Sequence, residues 1–324
     1  MRVCFISHSS KPGGGAELSL LDLVDALKAR NVECCCILRK PDHGMKSVLE
    51  RRGVETRVVP FKWWMHTRRG LYHTVRRSLP TYQALSIARL TLAIRRLSCD
   101  IVYTNSVTVG AGAIASKLLG KPHIWHIREF GEDDFDLEYD WGRERIRKLI
   151  GKLSAARIAN SHAVANEFRP DVGDLDVVYN SVNIPDGVAA ADDAPWRVPG
   201  ALRCILLGKV TPGKGQQEAV SAFARLAESN VPAELLIMGP ALGAHGSLIS
   251  EMINNHGLND RVHVRGSTPN PIPYINSADV LLMCSRREAF GRVTVEAMKL
   301  GKPVIGSRSG GTPEILDSGR TGLL

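Results

Sequence analysis

The sequence predicts an α/β protein built from two doubly wound parallel-sheet domains that face a cleft. Apolar runs of strand length alternate with stretches of helical periodicity along the 324 residues, a pattern typical of parallel sheets covered on both faces. The chain is also longer than a single hydrophobic core usually serves. A stretch rich in Pro, Gly, Ala and Asp, 184–200, separates two halves with the same alternation. We therefore predict an N-terminal domain over 1–183, a linker over 184–200 and a C-terminal domain over 201–324.

The N-terminal half begins with a strand and continues with an amphipathic helix. After "RVCFIS", the segment "AELSLLDLVDALKAR" places Leu18, Leu21, Val24 and Leu27 on one helix face. The strands predicted for this half are 2–7, 32–38, 54–59, 100–104, 123–127, 157–160 and 176–180. In the second half, strands are predicted at "RCILLG", "AELLIMG", "RVHVRG", "DVLLMC" and "PVIGS", with helices between them.

Composition and cysteine usage indicate a cytoplasmic protein. The first strand leaves no room for a signal peptide, and no apolar run reaches the ~20 residues that a membrane-spanning helix needs. Seven cysteines without a secretory signal favour reduced thiols. Three of them, Cys34 to Cys36, are adjacent on a predicted strand and point to alternate faces. We interpret them as small buried residues and not as a metal site.

The net charge of +9 comes from one segment, 57–99, which has nine basic residues and no acidic one. Basic charge beside interfacial aromatic residues suits an anionic membrane surface, and we predict that this segment binds one. Two alternatives remain: tryptophans packed inside the domain beside solvated arginines and, less favoured, binding to single-stranded nucleic acid. The residues predicted at the membrane surface are Trp63, Trp64, Arg68, Arg69, Arg76 and Arg77.

Two glycine-rich loops follow predicted strands and lead into helices, an arrangement that lets a phosphate approach the backbone. In the first, "SSKPGGGAELSL", Leu18 stands where the third glycine of the dinucleotide fingerprint belongs, so NAD is not predicted. The second, "LLGKVTPGKGQQEAV", lacks the Walker spacing but carries Lys209 and Lys214, which could neutralise a diphosphate. Taken alone, either loop is also consistent with an ordinary turn, and its lysines with solvated side chains.

The stretch "SRREAFGRVTVEAM", 285–298, follows the strand "DVLLMC" and carries Glu288 and Glu296 on either side of a Phe-Gly pair. Gly291 argues against one continuous helix, so we predict a strand, a loop and a helix that starts near Arg292. The N–H groups at that helix start suit an anion, with hydroxyl groups on either side of it at the carboxylates. A phosphate flanked by sugars is the ligand that this pattern favours.

These segments resemble the GT-B glycosyltransferases of family 4. The resemblance covers nearly all of the chain, and the Glu-x7-Glu stretch, together with the Lys-Gly element before it, is specific for retaining nucleotide-sugar transferases. Further segments that match in order and spacing are "HIRE", "ANS", "YNSVNI", "GGTPEIL" and "GRTGLL".

The resemblance implies a role for each matching residue. Glu296 would hold the ribose hydroxyls, whereas Glu288 and His126 would contact the transferred sugar and are the predicted catalytic residues. The other donor-binding residues would be Gly14 and Gly15 beside the diphosphate, Lys209 and Lys214 on it, and the turn of Phe290, Gly291, Arg292 and Val293 with its N–H groups.

The resemblance also implies front-face, internal-return substitution, in which the departing phosphate helps to deprotonate the acceptor. A glycosidase-like scheme with two carboxylates ~5 Å apart fits badly, because Glu296 is committed to ribose. We predict no cofactor and no metal. The Asp-x-Asp patterns at 134–136 and 174–176 do not follow a clear strand end, as metal-dependent transferases require.

Two residues and the end of the chain depart from the family pattern. Lys209 replaces the usual arginine and supplies a point charge instead of a fork, and Ser181 replaces the glycine of "YNG". The chain stops at "TGLL", where relatives continue for several helices. The resemblance therefore implies an incomplete C-terminal domain and puts the activity of the chain as given in question.

We predict a retaining, metal-independent hexosyltransferase that uses a UDP- or GDP-sugar. Its acceptor would be a saccharide of the cell envelope or of a polysaccharide, free or lipid-linked, met in the cytoplasm or at the inner face of the membrane. One alternative is a GT-B nucleotide-sugar 2-epimerase, which would need no acceptor. The other is a truncated, inactive module that binds sugar nucleotides or membranes. The sequence identifies neither the sugar, nor the base, nor the acceptor.

Overall fold

A computed structural model describes residues 1–41, 43–67, 81–132, 137–241 and 243–324. The chain divides into two compact units, Met1–Ser181 and Val182–Leu324. Each unit has its own parallel sheet with helices on both faces, which confirms the predicted α/β class.

The sheet of the first unit has the strand order β3-β2-β1-β5-β6-β8-β9, and all of its pairings are parallel. Chain order therefore reverses at β1, as in doubly wound folds. The strands are β1 (Arg2–Ser7), β2 (Glu33–Leu38), β3 (Glu55–Val58), β5 (Ile101–Thr104), β6 (His123–Ile127), β8 (Ala156–Ala159) and β9 (Asp176–Val177). A separate antiparallel pair consists of β4 (Met65–Thr67) and β7 (Leu137–Tyr139).

Two buried clusters cover the faces of this sheet. On one face, Cys4 and Cys35 pack with residues of α3 and α4, and on the other, Cys34 and Cys36 pack with residues of α1 and α2. The adjacent cysteines are therefore buried hydrophobic residues, as predicted, and burial raises the pKa of the Cys36 thiol. The helices are α1 (Gly15–Lys28), α2 (Met45–Glu50), α3 (Thr81–Leu97), α4 (Ala111–Leu118), α5 (Arg143–Leu153) and α6 (His162–Val172).

The prediction that Trp64 lies on a membrane-facing surface is wrong. Trp64 is 1% exposed, stacks on Trp125 at 5.4 Å, and donates its indole N–H to the Val107 carbonyl at 2.6 Å. Trp63 is half-buried against the core and donates to the His8 carbonyl. Stacking of Trp64 in a buried aromatic pair and packing of Trp63 against the core account for both side chains without a lipid surface. The predicted membrane arginines Arg68, Arg69, Arg76 and Arg77 lie outside the described residues.

The sheet of the second unit has the order β12-β11-β10-β13-β14-β15, also parallel throughout, with its reversal at β10. Its strands are β10 (Leu202–Leu207), β11 (Ala233–Met238), β12 (Val262–Arg265), β13 (Val280–Met283), β14 (Val304–Gly306) and β15 (Gly322–Leu323). Its helices are α7 (Gln216–Glu228), α8 (Gly243–Asn255), α9 (Ile272–Ser277), α10 (Arg292–Lys299) and α11 (Thr312–Ile315).

Segment 184–200, which we predicted as a linker, is anchored on the second unit by a buried carboxylate. Glu234 accepts N–H groups from Arg197 at 2.9 Å and from Val198 at 2.7 Å, and it pairs with His263 at 2.9 Å. Burial alone would raise the pKa of Glu234, but these hydrogen bonds outweigh it and lower the pKa. The segment is therefore part of the second unit's packing.

Within the described ranges, the model contains no helix that is both long and apolar enough to cross a membrane.

Candidate functional site

The predicted donor residues of the second unit lie where its strand order reverses. Strands β10 and β13 are neighbours in the sheet, so the loops that follow them meet at its carboxyl edge. Lys214 ends the first loop, and its Nζ lies 2.7 Å from Glu288 Oε2 of the second. The structure thus brings together a lysine and a glutamate that are far apart in sequence.

Gly215 lets these two loops approach each other. Its φ of +75° is left-handed, and a Cβ added there would overlap the Cys284 carbonyl. A backbone hydrogen bond from Arg286 N–H to the Gly213 carbonyl, 2.9 Å long, joins the same loops.

Lys209, by contrast, is exposed, and its Nζ has no partner among the described residues. Its carbonyl accepts the side-chain N–H of Gln216 at 3.2 Å, which ties the Lys209 backbone to the first residue of α7.

Helix α10 begins at Arg292, as predicted, after Gly291 turns the chain at φ +95°. The first-turn N–H groups of any helix lack intrahelical acceptors, so Arg292 and Val293 present theirs at the helix start beside Phe290. Glu296, one turn along, is buried, and its Oε1 lies 3.0 Å from Arg292 Nε. To hold ribose, as predicted, the Glu296 carboxylate would have to accept hydroxyl groups either beside Arg292 or in its place.

A second glycine pair supports the Glu288 loop, and the prediction did not include it among the site residues. Gly311 N–H donates to the Glu288 carbonyl at 2.7 Å. Gly310 has φ +58°, and a Cβ there would lie 2.7 Å from the Glu288 nitrogen. The signal was the adjacent glycines in "GGTPEIL" after β14, a position where only a residue without Cβ allows backbone to pack on backbone.

In the first unit, the glycine loop leads directly into α1. Gly14 precedes the helix, and a Cβ at Gly14 would overlap the carboxylate of Glu17, whereas Gly13 and Gly15 border open space. Glu17 is buried and pairs with His8 Nε2 at 3.0 Å. Burial opposes the charge on both groups, but the pair outweighs it, so the pKa of His8 is raised and that of Glu17 lowered.

His126 lies in β6 next to its carboxyl end and is held by Tyr103 of β5. The Tyr103 hydroxyl lies 2.5 Å from His126 Nδ1, while Nε2 is buried and has no hydrogen-bond partner in the described part of the chain. Burial, with a smaller contribution from Arg128, lowers the pKa of His126 well below its usual value, so the ring is neutral. When the phenol donates to Nδ1, the ring proton resides on Nε2, which is then a free donor.

A buried polar network lies behind His126. Arg128 Nε donates to Asn105 Oδ1 at 2.8 Å, and its Nη1 contacts Asn180. Glu129 accepts the Val107 N–H at 2.8 Å; burial raises the pKa of this carboxyl despite that bond. The "HIRE" segment thus consists of His126 on its strand, followed by an arginine and a glutamate that belong to the buried network. In the parts of the chain that are described, no group of His, Cys, Asp and Glu is arranged to hold a metal ion.

Two parallel-sheet units of this kind, each with glycine loops at the strand-order reversal, define a GT-B protein. The family model described as Glycosyltransferase Family 4 matches residues 13–185, and the model described as Glycosyl transferases group 1 matches residues 199–324. The chain belongs to glycosyltransferase family 4, which confirms the predicted resemblance.

Named relatives agree with this assignment. An N-acetyl-alpha-D-glucosaminyl L-malate synthase from Bacillus anthracis is 38% identical over 256 residues, covering 76% of this chain and 66% of that protein. A D-inositol 3-phosphate glycosyltransferase from Arthrobacter sp. strain FB24 is 28% identical over 244 residues, covering 69% of this chain and 58% of that protein. The matched region thus spans less than two thirds of the length of either relative.

Among solved structures, Anabaena HepE in complex with UDP and glucose matches with a TM-score of 0.79 and 25% identity. The match covers 100% of this chain and 85% of HepE. A sucrose-phosphate synthase from Thermosynechococcus elongatus matches with a TM-score of 0.76 at 18% identity, which supports the fold alone.

Proposed function

We propose that this chain is a retaining, metal-independent glycosyltransferase that takes a sugar from a UDP- or GDP-sugar. The observation that carries the proposal is the junction of Lys214 with Glu288 beside the start of α10. It combines a cation, helix N–H groups and a carboxylate at a strand-order reversal, where doubly wound sheets bind ligands. The UDP named with HepE supports a uridine nucleotide.

The chemistry of a nucleotide-sugar fits these groups. Breaking the bond between sugar and diphosphate builds negative charge on the leaving group, which placed donors and cations stabilise. Lys214 and the α10 N–H groups would take the diphosphate, and the exposed Lys209 would join them. Glu288 would then turn from the lysine to hydroxyl groups of the transferred sugar, and Glu296 would hold ribose.

We propose retention of configuration by front-face substitution, which the family resemblance implies. A covalent double displacement fits less well, because both predicted donor-site carboxylates of the second unit are engaged. Glu288 is paired with Lys214, and Glu296 is paired with Arg292. The departing phosphate would then help to deprotonate the acceptor on the same face. His126 would steady the sugar by donating from Nε2 to one of its hydroxyls.

For the acceptor, we propose a saccharide of the cell envelope or of a polysaccharide, free or lipid-linked. Both relatives above are named for acceptors that carry negative charge, malate and inositol 3-phosphate. An acid group on the acceptor is therefore consistent with these names.

Thermal shift with UDP, GDP and ADP tests the nucleotide, since a ligand above its dissociation constant raises stability measurably. Lys214→Ala should weaken UDP binding much more than uridine binding, because only the diphosphate loses a partner. Lys302→Ala, on the same unit, is the matched control. Equal losses of affinity for UDP and for uridine would show that Lys214 does not bind the diphosphate.

Product analysis with UDP- and GDP-sugars tests the reaction class. Slow release of free sugar from the donor supports a transferase. Formation of the C2 epimer would point to an epimerase, and nucleotide binding without turnover to an inactive module.

We also propose a cytoplasmic location with contact to an anionic membrane surface through α3. On this helix Leu85 and Leu92 are 58% and 49% exposed, and Arg89 and Arg96 are exposed beside them. An apolar stripe flanked by arginines suits anionic lipid. In vesicle sedimentation, binding should require anionic lipid, fall with salt, and weaken in Leu85→Ser with Leu92→Ser but not in Leu248→Ser. Equal binding to neutral vesicles, or no binding to anionic vesicles, would refute the membrane contact.

A further inference from the structure

The first unit contains a basic pocket that none of the roles above uses. It has a volume of about 280 Å³ and lies at the carboxyl ends of β1 and β2. We call it the basic pocket and define it by the cationic and aromatic residues that line it, which are His8, Lys11, Arg39, Lys40, His43 and Trp63.

Two lysines bring positive charge to this pocket. Its one carboxylate, Glu17, is already engaged by His8 at 3.0 Å. Lys11 and Lys40 are exposed, and neither ammonium group has an ion-pair partner among the described residues. Asp42, in the same loop as Lys40, lies outside those residues. A concave site lined by two such ammonium groups attracts anions.

The pocket is also built in advance of any ligand. Arg39 donates from Nε to the Phe61 carbonyl at 2.9 Å, and its guanidinium lies 5.1 Å from the centroid of a Trp63 ring. Ser10 joins the two loops, since its hydroxyl donates to the Lys40 carbonyl at 3.2 Å and accepts the Lys40 N–H at 3.1 Å. Groups fixed in this way lose less conformational freedom on binding.

The chemistry identifies the class of ligand. Arginine and lysine recognise carboxylate and phosphate oxygens by charge-assisted hydrogen bonds, and a tryptophan wall offers an apolar face to the rest of a small molecule. A volume of about 280 Å³ suits a charged group with a single ring rather than a whole nucleotide-sugar.

We infer that the basic pocket binds the phosphate or carboxylate group carried by the sugar acceptor. This inference rests on the proposed function for the meaning of "acceptor", while the binding itself depends only on residues of the first unit. A carboxylate on a sugar, a sugar phosphate and a lipid-linked phosphate share the chemistry that the pocket recognises.

Calorimetric titration with two matched probes tests the inference. Glucose 6-phosphate and glucose differ only in the phosphate, and saturating UDP is added first so that any diphosphate site is filled. Glucose 6-phosphate should bind and glucose should not, and the affinity should fall as salt rises. Lys11→Ala and Lys40→Ala should each weaken binding roughly tenfold, the effect of losing one charge-assisted hydrogen bond. The exposed Lys117→Ala is the control and should bind like the parent.

Further arms separate the sources of the anion. Glucuronate in place of glucose 6-phosphate tests a carboxylate, and displacement of bound glucose 6-phosphate by phosphatidic acid vesicles would assign the site to a lipid phosphate. Equal binding of glucose, or full binding in the Lys11→Ala, Lys40→Ala double variant, would overturn the inference. If UDP fails to bind, the proposed function fails. Titration with glucose 6-phosphate in the absence of UDP still tests whether the basic pocket binds a phosphate group.

Discussion

Replacing Gly215 with alanine should separate the two loops that carry Lys214 and Glu288. The new Cβ would lie 2.5 Å from Cys284 Cβ and 2.7 Å from its carbonyl carbon. Carbon atoms in contact stay about 3.5–4.0 Å apart, so the loops must move by about 1 Å. The obstacle is backbone, which cannot rotate away as the tip of a side chain can.

The cost of this substitution has two parts. A non-glycine residue in the left-handed region costs about 1–2 kcal/mol, and the overpacking adds about 1–3 kcal/mol. The free energy of unfolding should therefore fall by roughly 2–5 kcal/mol, or about 6–15 °C in Tm for a unit of this size. Where the loops separate instead of unfolding, the 2.7 Å contact between Lys214 and Glu288 lengthens, and a displacement of about 1 Å can lower turnover roughly 100-fold.

Gly213→Ala, two residues earlier in the same loop, is the control for Gly215→Ala. A Cβ at Gly213 meets nothing within 4 Å, and Gly213 is not among the glycines with positive φ. Thermal unfolding and UDP titration of both variants measure the difference. Equal stability and equal UDP affinity of the two variants would show that close approach at Gly215 does not hold the site together.

Three further predictions address the remaining groups. Glu296→Gln should weaken UDP binding about tenfold, the value of one charged hydrogen bond, and unchanged UDP affinity in a titration would exclude the ribose role. Tyr103→Phe should lower turnover while UDP affinity stays constant, because His126 loses the partner that orients Nε2; a matching loss of UDP affinity would indicate a structural defect instead. The pair of Glu17 and His8 should stabilise the chain between the lowered pKa of Glu17 and the raised pKa of His8. Stability measured against pH in Glu17→Gln should therefore differ most from the parent between pH 4.5 and 6.5, the ordinary pKa values of the two groups. The two curves should converge as pH rises through the His8 pKa or falls through the Glu17 pKa. A stability difference that does not change with pH would contradict a stabilising charge pair of Glu17 and His8.

The strands and the main turn positions could be predicted from local pattern alone. The predicted strand at 2–7 is β1, and the predicted helix start near Arg292 is the start of α10. The cysteine run is buried on alternate faces because side-chain alternation is a property of any strand. Such features depend on neighbouring residues, so the sequence carries them directly.

The environment of the tryptophans could not be predicted in this way. A Trp-Trp pair beside arginines suits both a membrane interface and a protein core. The stacking of Trp64 on Trp125 depends on a strand that is distant in sequence. No local pattern distinguishes an exposed indole from one that a later strand will cover.

The sequence by itself determined the alternation of strands and helices, and with it the rule that loops carrying Gly14, Lys214 and Glu288 follow strands of parallel sheets. These are consequences of local periodicity and backbone geometry. Only the tertiary structure decided that Lys214 contacts Glu288, and that three separate loops form the basic pocket. The physical reason is that such contacts depend on which strands become neighbours, and this is set by packing between residues far apart along the chain.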